Sequence, residues 1–180
     1  MGVLLEKDDN FVEAEQSYRK ALSLKADYPQ ARNNYGVLLF RLKRYKEAME
    51  QLDMAAADLS YDRREVALEY VAKIALMLND VPKAQTTYER LLRLSPRAIE
   101  PAFALADLAY QQKKYDEAER YFQRYVRNLA KEPLSPHALL LGIRLAQRHQ
   151  DINTVASYEL VLRTRYPQSA EYREYLKMQP

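Results

Sequence analysis

From residue 29 to residue 60 the chain reads PQARNNYGVLLFRLKRYKEAMEQLDMAAADLS. Apolar or small residues fall at Tyr35, Gly36 and Leu39, a polar break follows at Lys43-Arg44, and the pattern resumes with Tyr45, Ala48, Leu52 and Ala55. Spacings of three and four residues on either side of the break predict a helix, a short turn and a second helix. Gly36, Ala48 and Ala55 carry almost no side chain, so two antiparallel helices can approach closely there. Tyr35, Leu39 and Leu52 would fill the seam.

The pattern recurs. Gly2, Leu5, Ala14, Tyr18 and Ala21 each stand 34 residues before Gly36, Leu39, Ala48, Leu52 and Ala55. Ala84, Tyr88 and Leu91 match after 36 residues, with Pro96 closing that unit, and Ala118, Phe122 and Tyr125 follow 34 residues later. A looser copy has Leu141-Gly142 and Leu145 before a break at Gln150-Asp151, then Ala156 and Leu160. The period and the small-residue seam resemble the tetratricopeptide repeat, a helix-turn-helix unit of about 34 residues. The fold expected is all-α: a right-handed superhelical solenoid of helix pairs closed by a C-terminal capping helix. It divides into a partial repeat (1–28), three repeats (29–63, 64–97 and 98–132), a degenerate repeat (133–167) and the cap (168–180).

Helices are expected at 12–24, 30–42, 45–57, 64–78, 82–94, 100–112, 115–129, 136–149, 152–165 and 170–178. Residues 58–63 form a turn two residues longer than the repeat demands, and Glu15 and Arg19 should make an exposed i,i+4 pair. Pro82 suits a first helical turn, where its missing N–H costs little. Ser95 precedes Pro96 and is pushed out of the helical region. Ser169 is the expected N-cap of the last helix, whose Tyr172, Tyr175 and Leu176 would cover the end of the array, as a terminal repeat requires.

The 180 residues hold 3 Gly and 8 Pro, a composition that suits helices. The net charge is +3, with no basic run of the kind that tracks phosphates, which argues against nucleic acid. The absence of Cys excludes disulfides, thiolate metal sites and a cysteine nucleophile. No apolar run approaches the roughly 20 residues of a membrane span, and MGVLLEKDD turns charged too early for a signal peptide. Because Gly2 stands halfway through a first helix, the chain is expected to lack the start of a longer protein. The half-pair at 2–8 should then fray or pair with another molecule.

No catalytic constellation is present. The two histidines, His137 and His149, lie 12 residues apart near the ends of one expected helix, too far for metal pairing. They read as helix-terminus polar residues. Nucleophile-elbow, phosphate-loop and zincin motifs are missing, and the acidic pairs Asp8-Asp9 and Asp116-Glu117 fall where a helix dipole favours them. The pattern calls for no cofactor, no metal and no small-molecule substrate. The 15 Tyr, with no Trp, fall mostly on seams (Tyr18, Tyr35, Tyr45, Tyr88, Tyr115).

The useful surface is the concave side, lined by the first helix of each pair, which in such arrays receives a partner. Counted from Gly36, the second unit presents Asn33, Asn34, Val37, Phe40 and Arg41. The third presents Val66, Glu69, Tyr70, Lys73, Leu76 and Met77, and the fourth Phe103, Asp107, Tyr110 and Gln111. Rings and amides mixed with a few charges suit a peptide segment, although each residue also fits packing between helices. A basic clamp for a C-terminal carboxylate is not formed: Asn34 is compatible, but Val66 and Tyr70 stand where Lys and Arg would be needed.

Ala31-Arg32-Asn33-Asn34-Tyr35-Gly36 with Leu39, the run from Leu139 to Ala146 (LLLGIRLA), Ala156-Ser157-Tyr158, Tyr166-Pro167 and Glu171-Tyr172 occur in order along the chain. Together they resemble the type IV pilus biogenesis lipoproteins called PilF or PilW. The resemblance implies a non-enzymatic, pilotin-like scaffold on the periplasmic face of the outer membrane. It would assist localisation or multimerisation of the secretin, with membrane contact only through an N-terminal lipid anchor that these residues do not include. A generic repeat adaptor or co-chaperone scaffold, binding a peptide in its concave groove, is the alternative. An enzymatic role would need a catalytic domain fused upstream.

Overall fold

The computed structural model describes residues 10–179. The expected half-pair at 2–8, and with it the repeat positions Gly2 and Leu5, lies outside them. Ten helices and no strand occur among the described residues: α1 (Phe11–Leu24), α2 (Pro29–Arg41), α3 (Tyr45–Ala57), α4 (Arg64–Met77), α5 (Val81–Leu94), α6 (Ile99–Gln111), α7 (Tyr115–Leu129), α8 (Pro136–Arg148), α9 (Ile152–Arg165) and α10 (Ala170–Lys177). Every helix expected from the spacing is present, with ends shifted by at most one residue.

The described residues form two compact units that divide between Pro96 and Arg97. In the first, α1 packs on α2, α2 pairs with α3, α3 packs on α4, and α4 pairs with α5. In the second, α6 pairs with α7, α8 with α9, and α10 covers α8.

Four pairs turn in the same way. Lys43, Asn79, Lys113 and Gln150 take the left-handed conformation, with φ of 59°, 59°, 60° and 55°. The next residue's N–H then reaches back to the helix: Arg44 to Leu39 O at 2.9 Å, Asp80 to Ala75 O at 2.8 Å, Lys114 to Ala109 O at 2.9 Å and Asp151 to Ala146 O at 3.0 Å. The left-handed residue donates to the carbonyl three before it, as Lys43 does to Phe40 O at 2.9 Å. These are Schellman caps, which satisfy the last carbonyls of the first helix. Asp80 and Asp151 serve a second purpose as N-caps of the following helix, accepting from Lys83 N and Thr154 N at 3.1 Å each. Polar two-residue breaks thus end one helix and start the next. Ser169 caps α10 as expected, accepting from Tyr172 N at 3.0 Å.

Ala14, Ala48, Ala84 and Ala118, the repeating alanines, are all 0% exposed. Seven residues before each left-handed residue of the second, third and fourth units stand Gly36, Ala72 and Ala106, all buried. The fifth pair departs from this register. Gln150 stands eight residues after Gly142, so α8 runs one residue further past its glycine before a turn of the same length, and α9 is rotated. Its inward residues are Val155, Tyr158 and Leu162, which meet Leu139, Leu140, Ile143 and Tyr175 in one cluster. Ala156 and Leu160, expected on the seam, are exposed instead, Leu160 by 51%. In the cap, Tyr172 and Tyr175 face the cluster, whereas Leu176 is 52% exposed. A residue adjacent to Tyr175 sits roughly 100° around an α-helix, since there are about 3.6 residues per turn, so it cannot share that contact.

Glu15 ties α1 to the next pair. It accepts from Arg19 at 2.8 Å, from the Tyr35 hydroxyl at 2.8 Å and from Arg44 at 2.7 Å, and Arg44 also binds Glu47. Burial works to raise the Glu15 carboxyl, but the hydrogen bonds from Arg19, Tyr35 and Arg44 outweigh it and hold it below the ordinary value. The long turn at 58–63 is held by Asp58, which accepts from Ser60 N at 2.9 Å and Ser60 Oγ at 2.6 Å. Tyr61 of this turn is buried, and its hydroxyl has no hydrogen-bond partner.

Candidate functional site

In the first unit the expected concave residues come from α2 and α4, which touch each other. Phe40 stands between two tyrosines: its ring centroid lies 5.2 Å from that of Tyr70 at an interplanar angle of 72°, and 5.7 Å from that of Tyr45 at 55°. The first is the edge-to-face arrangement that the ring quadrupoles favour. Asn34, Val37, Phe40, Tyr70 and Lys73 are half-buried around this cluster, while Arg41 and Met77 are exposed at its end. Asn33 differs from the expectation of an open groove residue. It is 3% exposed; its Nδ2 donates to Asn34 Oδ1 at 3.3 Å, and its own Oδ1 is buried with no partner. The reason is its place one helical turn before the Gly36 seam, where α2 is covered by its neighbours.

In the second unit Phe103, Asp107 and Tyr110 lie along α6, each half-buried. Asp107 is held from two sides, by Gln111 Nε2 at 2.8 Å and by His137 Nε2 at 3.2 Å. The His137 ring meets Phe103 edge-on, with centroids 5.0 Å apart at 88°. Tyr110 meets Tyr115 at 5.4 Å and 66°, and the Arg144 guanidinium stands 6.0 Å from the Tyr110 centroid. Arg144 is also paired with Glu174 of α10.

Sequence reasoning therefore missed His137 and Arg144, which α8 brings onto the α6 face. His137 is no idle helix-terminus residue: it contacts two of the expected site residues. A signal was available. His137, Arg144 and Arg148 are separated by seven and four residues, a spacing that puts all three on one helix face.

The arrangement offers rings, amides and a few paired charges, suited to holding a polypeptide. Among the described residues no group of three or more His, Asp or Glu could hold a metal ion, and no helix is long and apolar enough to cross a membrane.

Two models described as tetratricopeptide repeat match residues 5–67 and 72–133. The type IV pilus assembly protein PilF of Pseudomonas aeruginosa is 36% identical over 162 residues, which are 90% of this chain and 63% of that protein. The solved structure of Pseudomonas aeruginosa PilF superposes with a TM-score of 0.86 at 32% identity, over 99% of this chain and 79% of that one. PilW, a widely conserved type IV pilus biogenesis factor, superposes with a TM-score of 0.72 at 27% identity, over 97% of this chain and 79% of its own. Repeat period, helix-pair architecture and these likenesses agree, and the chain belongs to the PilF/PilW family of tetratricopeptide-repeat proteins.

Proposed function

We propose that this chain is a non-catalytic binding scaffold of type IV pilus biogenesis, a pilotin-like factor that assists localisation or multimerisation of the secretin. Its place of action would be the periplasmic face of the outer membrane, reached through a lipid anchor outside these residues. Likeness to PilF, named for pilus assembly, supports the process. The observation that carries the binding mode is the Phe40–Tyr70 contact on the inner helices α2 and α4. Half-buried rings beside amides present apolar area at low entropic cost, the composition of interface hot spots. The α6 face, with Phe103, Asp107 and Tyr110, is the corresponding surface of the second unit.

The test is a pull-down of the periplasmic secretin domains with this chain and with a Phe40→Ala, Tyr70→Ala, Tyr110→Ala variant whose helical circular dichroism is intact. Capture by the parent and not by the variant is expected. Capture by both would move the contact to the outer helices or the turns. If neither protein captured the secretin while the parent retained other periplasmic proteins, the generic adaptor would be the better reading.

A further inference from the structure

Beside the turn between α6 and α7 the second unit has a cavity of about 510 Å³, lined by Lys113, Lys114, Tyr115, Arg120 and Arg148 together with Asp116, Glu117 and His149. One contact in it is close for its kind. The Arg148 guanidinium carbon lies 3.4 Å from the centroid of the Tyr115 ring, against 5.9 Å for Arg19 over Tyr35, 5.4 Å for Lys25 over Tyr28 and 6.0 Å for Arg144 over Tyr110. A basic residue in a helix's last turn is ordinary, because the C-terminal dipole favours it. A guanidinium laid on a ring is a further commitment. It holds one face of the guanidinium against the ring, while Arg148 stays exposed, and a planar guanidinium is the group that reads a carboxylate with two parallel hydrogen bonds.

The stack is braced from below. Tyr115 meets Tyr110 edge-on at 5.4 Å, and Arg144, one helical turn before Arg148, stands over Tyr110. Arg144 is engaged by Glu174. Arg148 forms no ion pair among the described residues, nor do Lys113, Lys114 and Arg120. Four cations therefore face two carboxylates, Asp116 and Glu117, both in the first turn of α7, where they favour the helix dipole.

We propose that this cavity is a second binding surface, which takes an acidic polypeptide segment through a carboxylate seated on Arg148, with Lys113, Lys114 and Arg120 steering it by charge. A protein segment fits better than a nucleic acid: Asp116 and Glu117 would repel a continuous phosphate chain, and the patch is not extended by any basic run. The inference does not rest on the groove reading: Arg148 shares a helix face with His137 and Arg144, but Lys113, Lys114 and Arg120 stand outside the residues assigned to that surface.

The experiment is a fluorescence-anisotropy titration of an N-acetylated, fluorescein-labelled hexaglutamate peptide into the full chain at low salt, with hexaserine as the uncharged control. Saturable binding of hexaglutamate alone is expected, weakened at least tenfold by Arg148→Ala and Arg148→Glu. Arg148→Lys should also weaken it, because an ammonium keeps the charge but loses the planar fork. Lys20→Glu, the same charge change on exposed Lys20 of α1, should leave it unchanged. Arg148 is exposed at a helix end, so the variants should keep their helical circular dichroism. The proposal is overturned if hexaglutamate does not saturate, if Arg148→Glu and Lys20→Glu weaken it equally, or if the Arg148 variants bind like the parent. It is likewise overturned if a single-stranded oligonucleotide binds more tightly, or if inorganic phosphate at matched ionic strength displaces the peptide.

Discussion

A β-carbon placed on Gly36 would stand 2.5 Å from Cγ of Leu52 and 3.2 Å from the backbone oxygen of Ala48. The second helix of this pair lies so close to the first that even a methyl group is excluded. Leu52 is itself fully buried, so it has no solvent into which to retreat. Gly36→Ala is expected to destabilise the protein by about 1–3 kcal/mol, as overpacking does, read as a lower urea midpoint. In a double-mutant cycle with Leu52→Ala the two costs should fall short of additivity, since the smaller residue makes room for the methyl. Strict additivity would mean that the α2–α3 approach is not limited by this pair.

The fifth pair gives the sharper test of register. Leu162 is 0% exposed and Leu160 is 51% exposed. Leu162→Ala should cost about 2–5 kcal/mol through the cavity it leaves, while Leu160→Ala should stay within about 0.5 kcal/mol. Thermal unfolding followed by circular dichroism would separate them, and the reverse order would restore the register that the repeat spacing predicts.

Left-handed backbone at Lys43 and Gln150 is strained for a residue with a β-carbon. Lys43→Gly and Gln150→Gly are expected to stabilise by about 0.5–1 kcal/mol each, the strain relieved less the extra freedom of the unfolded chain. Lys43→Ala, which keeps the β-carbon, should show no such gain. Melting temperatures of the three variants decide it.

Glu15 makes stability depend on pH. Its carboxyl is held below its ordinary value of 4.5 in the folded protein. The stabilisation is therefore present above that pH and is lost as pH falls below it towards the folded-state value. Glu15→Gln should lower stability at pH 7 by about 0.5–1 kcal/mol, the range of solvent-screened ion pairs, and the gap from the parent should close in acid. A gap that stays constant from pH 7 to pH 3 would show that the carboxylate's charge is not what stabilises this corner.

The residues that repeat were enough to determine the helices. Ala14, Ala48, Ala84 and Ala118 sit where an antiparallel neighbour must come close, each polar break closes the first helix with a left-handed cap, and the breaks at Asp80 and Asp151 also cap the second, which are local properties of the chain. The sequence also placed Phe40 and Tyr70 on one side of their helices, because helical spacing is fixed. The rotation of α9 was not legible. One extra residue before Gln150 turns the helix, and only contact with Leu139, Ile143 and Tyr175 decides that Leu162 points inward rather than Leu160. Nor could the chain by itself reveal His137 on Asp107, 30 residues away, or Arg148 on Tyr115. Spacing sets which side chains share a face; which face meets which is decided by how tightly neighbouring helices can approach, and that is a property of the packed protein alone.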